Sequence, residues 1–182
     1  MDENYWKDAY KNTWDESSKR EKRLMTYLEK LTGVVCSESG LGAGSSEYIS
    51  GSAARNGYQK GDADFLIEGT NLYIEVTGPL VKTVQPSAPL WFRPDKLNNA
   101  IKNSNHDVFL AHHCMSVDLW RVIHVDDEFK KRFRSYQFKV VTPYIRGRRE
   151  RYVEIETTDR CVRDLDYLVE YIKRIKEMQS NG

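Results

Sequence analysis

Three acidic residues accompany two short apolar stretches in the first half of the chain. Asp62 and Asp64 come directly before the first stretch, and Glu75 lies inside the second, Leu72–Val76. An unpaired charge within an apolar strand is costly, so Glu75 needs a partner or contact with water. Strands of a hairpin lie about 4.8 Å apart, so carboxylates on them can share a cation. Hard carboxylate oxygens suit Mg²⁺ or Mn²⁺.

The acidic residues therefore predict a metal site. Asp64 and Glu75 would hold the ion, and the backbone carbonyl of Val76 would add a ligand. Strand alternation puts Asp62 on the same face as Asp64, where it would bind a second ion or a metal-bound water. The alternative is that the acids are structural, with Asp62 in a turn and Asp64 at a strand edge.

Apolar periodicity predicts the elements that would position these residues. Leu24, Leu28 and Leu31 recur at helical spacing and should face the sheet. The predicted order is a short helix (5–14), a helix (15–31) ending at Gly33, a Gly/Ser-rich loop (37–61), strands (64–68, 72–76), an irregular Pro-containing segment, a helix from Pro94, strands (107–113, 119–125), a hairpin around 146–148 and a helix (163–178). This order predicts an α/β fold with a mixed central sheet flanked by helices.

Bulk properties predict one domain over residues 1–182, with N-terminal helices (1–36), a core (60–125) and a basic hairpin with the last helix (134–182). Hydrophobic residues make up 40% and charged residues 30%, and the net charge of +1 gives no global attraction to nucleic acid or membranes. The chain has three cysteines that lie far apart in the sequence. This odd number argues against a framework of disulfides and favours a reducing compartment. No stretch has the length of a membrane span. The sequence therefore predicts a cytoplasmic protein.

The arrangement of helix, strand with Asp64, strand with Glu75 and second helix resembles the PD-(D/E)XK nucleases, the restriction-endonuclease-like superfamily. The resemblance covers residues 18–125 and implies a restriction-endonuclease-like core. It also implies Mg²⁺-dependent hydrolysis of phosphodiester bonds, with DNA as the favoured substrate. Asp64 and Glu75 match the acidic motif residues, and Glu21 matches the glutamate of the family's opening helix, which faces the metal.

Thr77 stands where the family has its motif lysine. The lysine supplies positive charge to the water and the phosphate, and threonine cannot replace that charge. In some members the lysine has moved to the next helix, where this chain has Lys96; Lys82 and Lys102 are less suitable substitutes. The alternative is a catalytically inactive protein of the same fold. It would bind nucleic acid or a protein, for example as an inhibitor of a host defence complex. For the nuclease, the resemblance implies a protein encoded by a phage or another mobile element.

Two basic stretches predict contacts with phosphates. The residues expected to bind nucleic acid are Arg146, Arg148 and Arg149 on the late hairpin, with Lys131 and Arg132 before it. The alternative is a solvated charged face. A homodimer and a protein partner both remain open.

The histidines and aromatics give weaker signals. His112 and His113 are adjacent on a predicted strand, so they face opposite ways and disfavour a zinc site. Trp91, Trp120 and Phe109 are predicted to pack in the core rather than to stack on bases.

Overall fold

The computed structural model describes residues 3–39 and 63–182 of the 182-residue chain, and the side chains of the first helix from Asp15 onward. The helices of this part are α1 (Glu3–Thr32), α2 (Pro94–Lys102), α3 (Asp127–Arg134) and α4 (Leu165–Ser180). The strands are β1 (Cys36–Glu38), β2 (Phe65–Ile67), β3 (Leu72–Thr77), β4 (Leu90–Phe92), β5 (Asp107–Cys114), β6 (Leu119–His124), β7 (Lys139–Val141), β8 (Tyr144–Ile145), β9 (Arg148–Arg149), β10 (Tyr152–Ile155) and β11 (Val162–Asp164).

The central sheet has the strand order β1-β2-β3-β5-β6-β11. β1, β2 and β3 are antiparallel neighbours, whereas β3 and β5 run parallel. A parallel pair needs a crossover connection, and the segment that carries β4 and α2 supplies it. β6 and β11 continue the sheet with antiparallel pairs. The mixed sheet flanked by helices confirms the predicted α/β fold.

Each face of the central sheet has its own apolar core. On one face, Leu24 and Leu28 of α1 pack with Leu168 and Ile172 of α4. On the other face, α2 and α3 pack together with a second, three-stranded sheet in the order β4-β10-β7. α1 and α2 therefore lie on opposite faces of β3.

The first helix is continuous, so the prediction of two separate helices is wrong. No glycine or proline interrupts the 30 residues from Glu3 to Thr32. Gly33 ends the helix as predicted, with φ of +70° and its N–H bonded to the carbonyl of Glu29 at 2.9 Å. Leu31 is 42% exposed, so it does not face the sheet with Leu24 and Leu28. None of the helices in the described ranges has the length and apolar character needed to cross a bilayer.

Several short elements were not predicted from the sequence. β1 begins where the Gly/Ser-rich loop was expected, and it pairs with β2 through Glu38 and Phe65. Residues 40–61 of that loop lie outside the described part of the chain. α3 falls in the basic run that was interpreted only as charge, although Asp126 caps it by accepting a hydrogen bond from the Phe129 N–H at 2.9 Å. The late hairpin is present as β8 and β9, joined at Arg146-Gly147.

Candidate active site

At one end of the central sheet, Asp64 forms hydrogen bonds to the two residues on either side of Glu75. Its N–H donates to the carbonyl of Ile74 at 3.1 Å, and its Oδ2 accepts from the Val76 N–H at 2.7 Å. Ile74 is also the register partner of Phe65, the first residue of β2, so Asp64 and Phe65 both lie opposite Ile74. This is the arrangement of a β-bulge, which redirects a side chain.

Both carboxylates are buried in this position. Asp64 is 8% exposed and Glu75 is 5% exposed. Glu75 lies on β3 as expected, whereas Asp64 directly precedes β2 instead of lying on it, and metal binding stays a prediction. The N–H and C=O of one strand residue point to the same neighbour, so the Val76 carbonyl also faces the Asp64 side. Asp62 lies outside the described residues.

Lys96 supplies positive charge to this pair from α2. Its Nζ lies 2.9 Å from Glu75 Oε1, and its side chain is 25% exposed. Pro94 begins the helix, where its fixed φ suits the first turn, and the buried Leu97 anchors the helix to the core. Lys82 and Lys102 are exposed, and in the described part of the chain neither forms an ion pair with the acids.

Burial and charge repulsion set the protonation of the pair. Burial raises the pKa of Asp64, and Lys96, the Val76 N–H and Arg20 oppose that rise without cancelling it. Burial and then the charge of Asp64 raise the pKa of Glu75 well above its usual range, although Lys96 opposes them. Burial alone would lower the pKa of Lys96, but the charges of Glu75 and Asp64 outweigh it and raise that pKa. The site therefore carries more negative charge than its buried position favours.

Helix α1 contributes two charged residues to the same end of the sheet. Glu21 is buried, and its negative charge is one of those that raise the pKa of Glu75, which agrees with a position near the acids; its predicted role at a metal stays a prediction. Arg20 is buried too, and its Nη1 donates to the carbonyl of Gly78 at 3.1 Å. Arg20 was not predicted from the sequence. The signal was available, because Arg20 precedes the buried Leu24 by four residues and so shares its helix face.

Buried polar atoms without hydrogen-bond partners concentrate at this end of the sheet. Among the described residues these atoms are Arg20 Nε, Glu75 Oε2, His112 Nδ1 and His113 Nδ1, together with Arg132 Nε elsewhere. The Gly78 carbonyl accepts from Arg20, and Gly78 lies against the backbone of His113. Thr77 is the register partner of His112, so the first four atoms belong to one region. Unpaired buried polar atoms are rare in native proteins, and ligand or metal sites are one explanation for them.

The two histidines face opposite sides of the sheet, as their adjacency predicts. His112 lies edge-on to Phe92 at 5.8 Å between ring centroids, and its register partner on β3 is Thr77. Burial and then nearby positive charges lower the pKa of His112 to about 3, so its imidazole is neutral at pH 7. His113 packs on Trp120 on the other face, and its Nε2 lies 2.6 Å from Asp118 Oδ1.

The donor set at this end fits a hard divalent cation. Within residues 3–39 and 63–182, no three His, Cys, Asp or Glu side chains form a metal-binding group. Two carboxylates and a backbone carbonyl match the way Mg²⁺ is held, with few protein ligands and several waters. The unpartnered Oε2 of Glu75 is an available ligand atom. Asp64, Glu75 and Val76 are therefore the residues that could hold Mg²⁺ or Mn²⁺.

The predicted phosphate-binding residues fall into two groups. Arg146, Arg148 and Arg149 are exposed on the β8–β9 hairpin, and Lys131 is exposed on α3. Arg132 is buried, and its two terminal nitrogens donate to the Asp159 carboxylate at 2.9 and 2.7 Å. The grouping of Arg132 with the basic surface is therefore corrected, because its charge is used in a bidentate internal ion pair.

Two of the three aromatic residues predicted to pack in the core do so, and one does not. Phe109 is fully buried and Trp120 packs against the same core, as expected. Trp91 is 37% exposed, so its assignment to the core is wrong. Its neighbours Leu90 and Phe92 fill the core instead, and strand alternation turns Trp91 outward.

Comparison of the chain with known protein-family models and with curated proteins finds no match in either case.

Proposed function

We propose that the protein is a metal-dependent nuclease that hydrolyses phosphodiester bonds, with DNA as the favoured substrate. The observation that carries this proposal is the buried Asp64–Glu75 pair with Lys96 Nζ 2.9 Å from Glu75 Oε1. Hard oxygen ligands and a fixed positive charge at one point are what phosphodiester hydrolysis requires. The order of α1, the Asp64 strand, the Glu75 strand and α2 supports it, because the PD-(D/E)XK nucleases have the same order.

Each residue has a distinct role in this proposal. Asp64, Glu75 and the Val76 carbonyl hold the ion, which supplies an activated water and stabilises charge on the phosphate. Lys96 donates a hydrogen bond to a phosphate oxygen as negative charge develops there. Glu21 accepts a hydrogen bond from a water and orients it. Arg20 positions the end of β3 through the Gly78 carbonyl.

A cleavage assay tests the proposal directly. Plasmid and single-stranded DNA and RNA are incubated with the protein in Mg²⁺, Mn²⁺ or EDTA. We expect cleavage with either metal and none in EDTA. Glu75→Ala should abolish cleavage and keep the fold, because it removes a buried charge that Asp64 repels. Absence of metal-dependent cleavage on every substrate would contradict the proposal.

A second candidate is a binding protein on the same fold that has no catalysis. The observation that favours it is Thr77, which places a neutral side chain at the position of the family's lysine. With this function the protein binds nucleic acid or another protein, and the acidic residues of the fold have no catalytic role.

The cysteines bear on the cellular compartment of the protein. Cys36, Cys114 and Cys161 are all free thiols, which suits a reducing compartment and supports the proposal of a cytoplasmic protein. A homodimer, a protein partner and an origin in a phage or mobile element stay predictions.

A further inference from the structure

The outer face of the three-stranded sheet carries a stacked aromatic pair. Trp91 on β4 and Tyr152 on β10 have ring centroids 5.5 Å apart and planes inclined by 22°. The alternate residues Phe92 and Val153 point into the core, so the pair lies on the side away from it. Trp91 and Tyr152 together are called the aromatic platform below.

Hydrogen bonds hold both rings of the aromatic platform in place. Trp91 Nε1 donates to Glu154 Oε2 at 2.7 Å, and the Tyr152 hydroxyl donates to Glu150 Oε2 at 2.6 Å. The polar atoms of both rings are therefore already satisfied. Because the two rings stack on each other, each has one face covered by its partner, and a ligand would stack on an outer face of the pair rather than bond to a ring edge.

Arginines lie around the platform, and Arg93 among them donates to both oxygens of the Asp95 carboxylate, at 3.1 and 2.8 Å. Burial and the Glu150 hydrogen bond raise the pKa of Tyr152 to about 12, and the charges of Arg93 and Arg146 oppose that rise. Arg148 donates to the same Glu150 at 3.1 Å. Arginine side chains beside aromatic faces match a ligand that has flat rings and a negative backbone.

Arg93 connects the aromatic platform to the acid pair. It is the residue that precedes the first turn of α2, two positions after Trp91. Its charge acts both on Tyr152 and on Lys96, whose ammonium contacts Glu75. Arg93 is the N-cap of α2 and Lys96 lies three residues later in its first turn, so a strand that leaves the platform past Arg93 would lie near Lys96.

We infer that the aromatic platform binds the unpaired bases of single-stranded nucleic acid. The bases stack on Trp91 and Tyr152, and Arg93 and the arginines of the β8–β9 hairpin contact the phosphates. In a duplex the base faces are covered by neighbouring base pairs, so a single strand or a frayed end fits and an intact duplex does not. This inference rests on the proposed nuclease function and names its substrate class.

Binding in EDTA tests the inference separately from cleavage. A labelled oligothymidine of about 20 nucleotides and a duplex of equal length are titrated with protein, and anisotropy is measured. We expect the single strand to bind more tightly. Trp91→Ala and Tyr152→Ala should each weaken its binding about tenfold or more, as loss of one stacking residue does. Tyr27→Ala, at an exposed tyrosine of α1, is the matched control and should change nothing.

Two further measurements keep the result independent of folding defects. Trp91→Phe retains an aromatic face, so it should bind nearly as the wild type does while losing the quenching of tryptophan fluorescence that stacking causes. Arg93→Gln should weaken binding and reduce the slope of log K against log[salt] by about 0.7, the value for one phosphate contact on a single strand.

The outcomes separate this inference from the proposed function. Platform-dependent binding of the single strand without cleavage of any substrate would support the platform and contradict the nuclease. Equal affinity for duplex and single strand, or unchanged affinity in Trp91→Ala, would overturn the platform even if the protein cleaves DNA. Absence of binding to either nucleic acid at low salt would also overturn the platform. The remaining explanation for this surface would then be a protein partner.

Discussion

Lys96 on α2 contacts Glu75 on β3, with Nζ 2.9 Å from Oε1. The ammonium thus comes from the helix that follows the strand, whereas Thr77 occupies the strand position that would carry the motif lysine in a PD-(D/E)XK nuclease. Because the charge acts through its position in space, its origin in the chain does not matter to the chemistry.

Replacement of Lys96 tests its part in the proposed reaction. Lys96→Ala should lower the cleavage rate about 10²-fold or more, because a charge contact to the transition state is lost. Metal affinity measured by calorimetry should not fall, since a positive charge beside the ligands is removed. Lys102→Ala is the control, because Lys102 is exposed at the end of the same helix. Equal rates for the two variants would contradict the role of Lys96.

Thr77→Lys returns positive charge to the strand position. In the wild-type background it should be neutral or activating, and in the Lys96→Ala background it should restore part of the lost rate. Thr83→Lys, at an exposed position, adds the same charge elsewhere and should restore nothing. If the wild type never cleaves but Thr77→Lys does, the protein is a disarmed nuclease fold and the binding function is the correct one.

Glu75→Gln tests the electrostatic strain of the metal-free site. Burial and Asp64 raise the folded pKa of Glu75, so the folded state binds more protons than the unfolded state between its usual pKa and the raised one. The contribution of Glu75 to stability therefore falls as pH rises through that window. In EDTA at pH 8, Glu75→Gln should raise Tm by a few degrees, since about 1 kcal/mol corresponds to ~2–4 °C in a chain of this size.

The pH dependence distinguishes this effect from a general gain in stability. The advantage of Glu75→Gln should shrink as pH falls towards the usual range of a glutamate, because the wild-type carboxyl becomes protonated. Glu170→Gln, in the exposed pair with Lys173, should show no such trend. A Tm difference between variant and wild type that is the same at all pH values would contradict the destabilising effect of the charged Glu75 carboxylate.

Gly78→Ala tests the close approach of backbones after β3. Gly78 has φ of +132°, and a Cβ there would lie 2.2 Å from the carbonyl oxygen of His113. We expect a loss of at least about 2 kcal/mol in the free energy of unfolding, from strain and displacement of the Arg20 contact. Gly69→Ala also has positive φ but open space around it, so it should cost only about 1 kcal/mol. Denaturant melts of both variants measure the difference.

The features predicted correctly from the sequence depend on local pattern. The Asp64–Glu75 placement and the helix of Lys96 follow from two adjacent strands and from a proline at a helix start. Trp91 was placed in the core because its direction depends on the pairing of β4 with β10, which are far apart in the chain. α3 was missed although Asp126 marks its start, because the basic residues of its last turn were interpreted as a surface charge run.

The parallel pairing of β3 with β5 controls when the site can form during folding. β2 and β3 make a local hairpin, so Asp64 and Glu75 can meet early. α2 is fixed only when the chain has closed the crossover and β5 has paired with β3, which is a slower, long-range event. Lys96 therefore reaches Glu75 only in the completed fold. A nascent or partly unfolded chain would hold the acids without the ammonium, so under the proposed function it would lack a charge that cleavage requires until its folding is complete.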